Sequence, residues 1–236
     1  MRATSWCLGG ADVDVASLPV LEPGFYPAPD PQRPDIVAPN AWRRMSRVAR
    51  FAATVAAPLA TPEVALFFGT ACGEYGSSVQ FLRTLFQKGA AGASPLLFQN
   101  SVHNAPAGHL SIALGLRGPS ETLCAGPDTV ARTLERAEAW VAVHGRAALV
   151  VCADDLGAEV QQGWRYTGLV AAFSEGAAAI RIEPGDPPLP ALSRRRWAWP
   201  GERLQSDPEG HDARLGLYAA SDAVVVAWRV RVEEPA

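Results

Sequence analysis

Histidine and cysteine are scarce in this 236-residue chain, with four of each, and this scarcity narrows the chemistry that the protein can perform. The cysteines stand at positions 7, 72, 124 and 152, and no two of them form a CxxC pair. This spacing is untypical of a zinc ribbon or a disulfide scaffold and indicates reduced thiols. No two histidines are three or four residues apart, so no single helix supplies a pair of metal ligands. We therefore expect neither a metal nor a cofactor.

Charge is also sparse, since only 19% of the residues are charged and the formal net charge is −3. The chain lacks the basic surface that nucleic-acid-binding proteins use, so no nucleic-acid partner is expected. No uninterrupted apolar stretch approaches the ~20 residues that span a bilayer. The first residues, MRATSWCLGGADVD, do not resemble a signal peptide. We predict a cytoplasmic protein without a membrane span.

Hydrophobic residues make up 48% of the chain, enough for a substantial core. Their periodicity predicts helices over 41–57, 77–88 and 128–144. It predicts strands over 64–69, 120–124, 147–153, 177–182 and 223–232. Proline-rich segments at 18–40 and 184–212 are expected to be irregular.

The most regular unit is strand 120–124, helix 128–144 and strand 147–153. Asp128 is placed to cap the helix and Gly145 to end it. The inward stripe of this helix consists of Val130, Leu134, Ala137 and Val141. The second strand is apolar throughout, which is typical of a strand buried on both faces. Such a unit predicts an α/β fold with a parallel or mixed sheet covered by helices.

Common catalytic motifs are absent: the sequence has no GxSxG, no GxxxxGK[ST], no HExxH and no GxGxxG after a strand. Asp154 and Asp155 follow the strand at 147–153, and functional sites of α/β proteins tend to lie at such strand ends. We interpret the two aspartates as a solvated strand end, with a catalytic carboxylate site as the alternative.

One segment, 94–127, carries an ordered series of motif residues. It resembles the β-ketoacyl synthases of the thiolase superfamily, in the region that leads to their active-site cysteine. The matching residues follow one another without a gap: Ser94, Pro95, Asn104, Ala107, Gly108, His109, Ser111, Ile112, Gly115, Leu116, Gly118 and Pro119.

Three flanking segments extend the resemblance. Residues 68–76 (FGTACGEYG) are similar to the family's upstream strand and glycine-rich turn, and residues 174–182 (SEGAAAIRI) to its later GEGA strand. Arg43, Arg44 and Met45 resemble the start of its RRMDR helix. The resemblance covers residues 1–183 and implies the N-terminal half of a thiolase-like fold, with a mixed, mostly parallel sheet flanked by helices. We expect residues 184–236 to form an irregular tail that is atypical of the family and contains a final strand.

The catalytic residues of the family are missing. Counting from Gly118 and Pro119, the resemblance places the nucleophile at Pro127, which has neither a thiol nor a backbone N–H for an oxyanion. Cys124, expected within the preceding strand, is the alternative nucleophile. His144 and His211 are interpreted as surface residues rather than catalytic histidines. His109 matches a family histidine outside the catalytic pair and is expected to make a structural hydrogen bond.

The resemblance therefore implies a non-catalytic subunit, akin to the chain-length factors of type II polyketide synthases and to short ketosynthase-like proteins of aryl-polyene pathways. It would form a heterodimer with a complete β-ketoacyl synthase, shape that enzyme's acyl tunnel, and meet the acyl carrier protein only indirectly. The residues expected at the tunnel or the partner interface are Leu97, Phe98, Gln99, Val102, Ser120, Thr122 and Cys124.

Three alternatives stay open. Leu97 and Phe98 are equally compatible with ordinary core packing. The chain is also compatible with a stand-alone acyltransferase or thioesterase that uses Cys124, Asp154 or Asp155. A homodimeric binding protein of the same fold is the third alternative.

Overall fold

A five-stranded sheet forms the centre of the computed structural model, which describes residues 2–5, 20–21, 24–26, 30–125, 129–155, 157, 172–186, 213–215 and 229–231. The strands are β1 (Arg2–Ser5), β2 (Val20–Leu21), β3 (Gly24–Tyr26), β4 (Ala65–Gly69), β5 (Ser120–Leu123), β6 (Ala148–Asp154), β7 (Ala172–Ser174), β8 (Gly176–Ile182), β9 (Ala213–Leu215) and β10 (Arg229–Arg231). The helices are α1 (Pro39–Arg44), α2 (Arg47–Ala56), α3 (Tyr75–Lys88), α4 (Pro95–Gln99), α5 (Ala105–Ala113) and α6 (Thr129–His144), with single 3₁₀ turns at Ala57–Leu59 and Gly89–Gly92.

The strand order in the central sheet is β1-β8-β6-β4-β5. Strand β4 pairs in parallel with both β5 and β6, whereas β8 runs antiparallel to β6 and β1 runs antiparallel to β8. The predicted mixed, mostly parallel sheet is thus confirmed. Two small sheets accompany it: β10 pairs with β2 and β9, and β3 pairs with β7.

Helices cover the two faces of the sheet. Leu66 and Phe68 of β4 point into a core formed with α2 and α5, where Phe51 and Leu110 are fully buried. On the opposite face Phe67 contacts Trp140 of α6, with ring centroids 6.1 Å apart. All seven residues of β6 are buried, as its continuous apolar run predicts. The predicted inward stripe of α6 is buried as well, each residue being at most 9% exposed.

The predicted helix at 41–57 is wrong in one respect, because it is two helices. Met45 and Ser46 interrupt it with extended backbone, and the Ser46 hydroxyl accepts a hydrogen bond from the Ala49 N–H at 3.1 Å. Serine competes with the helical backbone for hydrogen bonds and thereby favours an N-cap over a helix interior. The break turns α2 toward the sheet, where seven of its ten residues are buried.

Some predicted elements differ from the structure, and some lie outside the residues that it describes. Helix α3 begins at Tyr75, two residues before the predicted start, and the apolar periodicity predicts neither α4, α5 nor β1. Asp128 and His211 lie outside the described residues, as does most of 187–228, so the predicted tail is described only at β9 and β10. Among the described helices, none has the length and apolar character needed to cross a bilayer.

We predict that Phe68→Ala lowers the free energy of unfolding by about 3–5 kcal/mol, because it removes a fully buried ring from the central strand. Phe86→Ala is the matched control: this ring is 84% exposed, and its loss is expected to change the stability by less than about 0.5 kcal/mol. Urea unfolding followed by circular dichroism measures both. Equal losses in the two variants would contradict the described packing of β4.

Candidate functional site

The carboxyl ends of β4, β5 and β6 meet at one edge of the sheet, around the residues that follow β4. We call residues 70–74 the β4 turn. The Asp154 carboxylate, at the end of β6, accepts hydrogen bonds from the Thr70 hydroxyl at 2.8 Å and from the N–H groups of Ala71 (3.0 Å) and Cys72 (2.8 Å). The Thr70 oxygen in turn accepts from the Gly73 N–H at 2.9 Å. One carboxylate therefore determines the conformation of the turn.

The interpretation of Asp154 as a solvated strand end is wrong, since this residue is only 4% exposed. Burial raises its pKa to about 6, although the Cys72 N–H, the Thr70 hydroxyl and the Ala71 N–H act in the opposite direction. With its oxygens engaged by these donors, Asp154 is a structural residue rather than a free acid or base. The sequence lacks a signal for this role because the donors lie more than 80 residues away.

The neighbouring Asp155 is also engaged. Arg47, at the start of α2, lies 3.3 Å from Asp155 and 2.7 Å from the buried carboxylate of Glu175. Burial and then the Glu175 charge raise the pKa of Asp155 to about 6, and Arg47 opposes this shift. The ion pair between Arg47 and Glu175 joins the start of α2, just after Arg43, Arg44 and Met45, to residues 174–182. These two segments are far apart in the sequence. A catalytic site at Asp154 and Asp155 is the alternative interpretation. In the structure Asp154 accepts hydrogen bonds from the β4 turn, and Asp155 pairs with Arg47.

A second buried acid, Glu74, closes the β4 turn. It is 3% exposed and accepts hydrogen bonds from the Ser46 hydroxyl and from the Ser77 hydroxyl, the latter at 2.8 Å. Burial raises its pKa to about 7, against the effect of the two hydroxyl donors. Glu74 thus links the N-terminus of α2 to that of α3 through a carboxyl group that changes charge near neutral pH.

Three of the cysteines lie at or near this edge. Cys124 lies one residue beyond β5 rather than within it, is exposed, and its thiol contacts the Ala71 carbonyl at 3.6 Å. Burial, followed by the Asp154 charge, raises the pKa of Cys72 far above its ordinary value. Burial raises the pKa of Cys152 to about 12. Pro127 lies outside the described residues, in the connection between β5 and α6.

Two histidines have structural surroundings. The Nε2 atom of His109 lies 2.9 Å from Oδ1 of Asn100, whose amide donates to the Arg44 carbonyl at 3.1 Å. Burial, followed by the Arg44 charge, lowers the pKa of His109 and so favours the neutral ring that donates to Asn100. The expected structural hydrogen bond of His109 is thus present. His144 is exposed at the end of α6, where its ring stacks on Trp140 at 3.7 Å.

The turn after α4 approaches the same edge. Gly73 has a φ of +59°, and a Cβ atom built on it would lie 2.6 Å from the His103 ring. His103 therefore lies directly on the β4 turn, which also contacts Cys124 through Ala71. In this way the turn joins the end of β5 to the segment that carries Val102.

Large apolar side chains are exposed along α3 and α4. Phe98 is 61% exposed and Val102 is 46% exposed. The alternative that Phe98 packs in the core is therefore wrong, whereas Leu97 is half-buried. Phe86 and Leu82 are 84% and 47% exposed on α3. Exposed apolar residues that lie together, as Phe98 and Val102 do in one segment, indicate a binding surface rather than a solvated one.

Gln99 lies in different surroundings from Phe98. It lines an open groove of about 900 Å³ between α1, α4 and α5, together with Leu96, Ile112 and the side chains of Arg43 and Arg44. The residues predicted for the acyl tunnel are therefore divided between this groove and the exposed surface around Phe98.

The outer surface of α6 carries ion pairs between charged residues. Arg132 pairs with Glu135 at 2.9 Å, and Arg136 pairs with Glu121 of β5 at 2.9 Å. Exposed ion pairs of this kind contribute little stability and are typical of a solvated helix face. Among the residues that the structure describes, no group of three or more His, Cys, Asp or Glu is arranged to hold a metal ion.

Comparison with known proteins identifies the fold family. A family model for the N-terminal domain of β-ketoacyl synthases matches residues 22–167. The chain belongs to this family. The resemblance drawn from the segment 94–127 is thereby confirmed. No curated protein matches the chain.

Solved structures support the same fold. A ketosynthase (ApeO) in complex with its chain length factor (ApeC) from Xenorhabdus doucetiae is 23% identical with a TM-score of 0.55, covering 67% of this chain and 65% of that one. A type II polyketide synthase acyl-carrier protein in complex with its ketosynthase is 16% identical with a TM-score of 0.61 (69% and 54% covered). The ishigamide ketosynthase/chain length factor is 18% identical with a TM-score of 0.56 (66% and 49% covered).

This ketosynthase-family chain accordingly spans between 49% and 65% of those solved chains. At such identities the likeness establishes the thiolase-like ketosynthase fold alone. The residues of the family's motifs have structural contacts here: His109 of α5 bonds to Asn100 at the end of α4, and Glu175 pairs with Arg47.

We predict that Glu74→Gln makes the stability of the protein less dependent on pH. The pKa of Glu74 is about 7 in the folded chain, against 4.5 for an unperturbed glutamate. The folded state therefore retains a proton that the unfolded state releases, and the contribution of Glu74 to stability falls as the pH rises from about 4.5 to 7. Urea unfolding at two pH values, about 5 and about 8, should show the variant gaining on the wild type at the higher pH.

The control for this comparison is Glu63→Gln, at an exposed position just before β4. It should leave the pH dependence unchanged. A Glu74→Gln chain whose stability falls as steeply over this pH interval as that of the wild type would count against the described burial.

Proposed function

We propose that this chain is a non-catalytic ketosynthase-like subunit, which pairs with a complete β-ketoacyl synthase and shapes its acyl tunnel during carrier-protein-dependent chain elongation. Its role would be that of a chain-length factor in a polyketide or aryl-polyene type of pathway in the cytoplasm. The partner would perform the condensation on chains carried by acyl carrier protein. Two of the similar solved structures are ketosynthases with chain length factors, and a third contains an acyl-carrier protein.

The observation that carries this proposal is the outer edge of β5. The N–H groups of Leu66 and Thr70 donate to the carbonyls of Pro119 (2.8 Å) and Leu123 (3.1 Å). Since alternate residues of a strand bond to the same neighbour, Ser120 and Thr122 direct their backbone groups away from β4. No described strand pairs with that edge.

An unpaired edge strand is a template for a strand of another chain. The resemblance implies that ketosynthase subunits pair through this same strand, antiparallel across a two-fold axis. Ser120, Thr122 and Cys124 are the residues that such pairing would use, and the exposed position of Cys124 just after β5 is compatible with it.

The exposed surface around Phe98 supports the second part of the proposal. Tunnels for acyl chains are lined mainly by apolar side chains with few polar groups. Phe98 and Val102 are large, apolar and exposed, and the β4 turn brings their segment close to the end of β5. A partner that pairs with β5 would therefore cover them.

The chemistry of the site favours a non-catalytic role. Proline stands at position 127, where the resemblance places the nucleophile. Asp154 and Asp155 are engaged by hydrogen bonds and an ion pair, and His109 is engaged by Asn100. The thiol of Cys124 donates to the Ala71 carbonyl at 3.6 Å.

We predict that the chain co-purifies with a complete β-ketoacyl synthase of the same organism when the two are co-expressed. Thr122→Pro should reduce recovery of the complex by roughly tenfold or more, because it removes an N–H from the outer edge of β5 and inserts a ring there. Thr122→Val is the matched control, since it keeps the N–H and the shape of the side chain. The bonds from β5 to β4 use the other set of residues, so both variants should fold.

Two outcomes contradict this prediction. Failure of the wild-type chain to co-purify with the ketosynthase argues against pairing, and a stable homodimer by light scattering would favour the binding-protein alternative. Acylation is the second test: incubation with acyl carrier protein thioesters should leave the intact mass unchanged. An acyl adduct that disappears in Cys124→Ser would replace the proposal with an acyltransferase or thioesterase.

We predict that Phe98→Ala lengthens the products of the active pair by at least one extension unit, because it removes a large ring from the end of the tunnel. Phe86→Ala, the same truncation on α3, should leave the product lengths unchanged. Mass spectrometry of the released chains measures the distribution. An unchanged distribution of product lengths with Phe98→Ala would contradict the proposal that Phe98 lines the tunnel.

A further inference from the structure

Phe98 lies on a helix that is unable to hold it in place unaided. Helix α4 has only five residues, and none of them is fully buried. Such a short helix is not stable through its own backbone hydrogen bonds, so its position depends on packing. Its N-cap bond, from the Leu97 N–H to the Ser94 hydroxyl, is long at 3.3 Å. The direction in which Phe98 points must therefore come from a neighbouring element.

That element is α3. The Ser78 hydroxyl donates to the Ser101 carbonyl at 3.1 Å, just beyond α4. One turn along α3, the ring of Phe81 meets the ring of Phe98 with centroids 5.6 Å apart and planes tilted by 55°. One turn further, a Cβ atom on Gly92 would lie only 2.1 Å from the Thr84 carbonyl, so the connection to α4 lies directly on α3.

These three contacts follow one side of α3 at a spacing of three residues, which places them along the same part of the helix surface. Helix α3 has no fully buried residue in its 14 positions, so it adds little to the core. Leu82 and Phe86, at other positions on its surface, are exposed. The inner side of α3 thus serves as a platform for α4.

Phe81 occupies the middle of the platform. Phe81 is half-buried, whereas Phe98 is 61% exposed. The contact between the two rings therefore lets the more buried Phe81 ring orient the exposed Phe98 ring. Tilted ring pairs of this geometry are favourable beyond the area that they bury. Phe98 makes no other aromatic contact within the described residues.

We infer that Phe81 is a positioning residue for Phe98, so that the end of the proposed tunnel is formed by an aromatic pair from α3 and α4. The inference rests on the proposed function for its effect on the products, but its structural content stands independently. Phe81 does not touch the acyl chain in this scheme. It acts by fixing the direction of the Phe98 ring.

The first test uses the active pair of this chain with its ketosynthase. Phe81→Ala should shift the product distribution in the same direction as Phe98→Ala, by at least twofold in the ratio of longer to shorter chains. The double variant should shift it no further, because both changes remove the same pair. Phe81→Tyr keeps the ring and should restore the wild-type ratio, and Phe86→Ala should leave it unchanged.

The second test uses the full chain without its partner. 4-Fluorophenylalanine at position 98 reports the surroundings of that ring by fluorine NMR. Phe81→Ala should move and sharpen its resonance, while Phe86→Ala should not. An unchanged resonance in Phe81→Ala, or an equal change in both variants, overturns the inference.

The two tests separate the possible failures. If the resonance responds to Phe81→Ala but Phe98→Ala leaves the products unchanged, the proposed tunnel is wrong and the positioning contact stands. If Phe98→Ala shifts the products and Phe81→Ala does not, at equal recovery of the complex, the positioning role is wrong and the proposed function stands.

Discussion

The carboxylate of Asp154 organises the turn at which several parts of the candidate site meet. Its oxygens accept from the Thr70 hydroxyl and from the N–H groups of Ala71 and Cys72, which would otherwise be buried without partners. The turn then carries the contacts to Cys124 and His103, and Glu74 at its end reaches Ser46. Contacts at this one strand end thus connect strands β4, β5 and β6, helices α2 and α3, and the segment after α4.

The surface of the protein divides according to the side chains that its helices expose. Helix α6 exposes arginine and glutamate in ion pairs, which suits contact with water. Phe98 on α4 and Val102 just after it are exposed, and β5 directs backbone groups away from the described sheet. Since apolar side chains and an open strand edge both gain from being covered, the second region is where a partner is expected and the first is not.

Much of the sheet follows from the sequence because its signals are local. The apolar run of β6 and the inward stripe of α6 depend only on residue type and spacing. Helices α4 and α5 escape prediction because they are short and their apolar residues do not follow a single stripe, although serine before proline at 94–95 is a helix-start signal. The break between α1 and α2 escapes it because serine at 46 caps a helix only when the preceding chain turns away.

The family, the α/β class and the absence of a cysteine at position 127 follow from the order and identity of the residues, which need no third dimension. Three other facts became visible only in the folded chain: Asp154 is buried, Arg47 meets Glu175, and Phe98 rests on Phe81. They depend on which distant segments meet, and on whether a polar group finds its partners after water has been excluded. A periodicity of apolar residues carries no information about either.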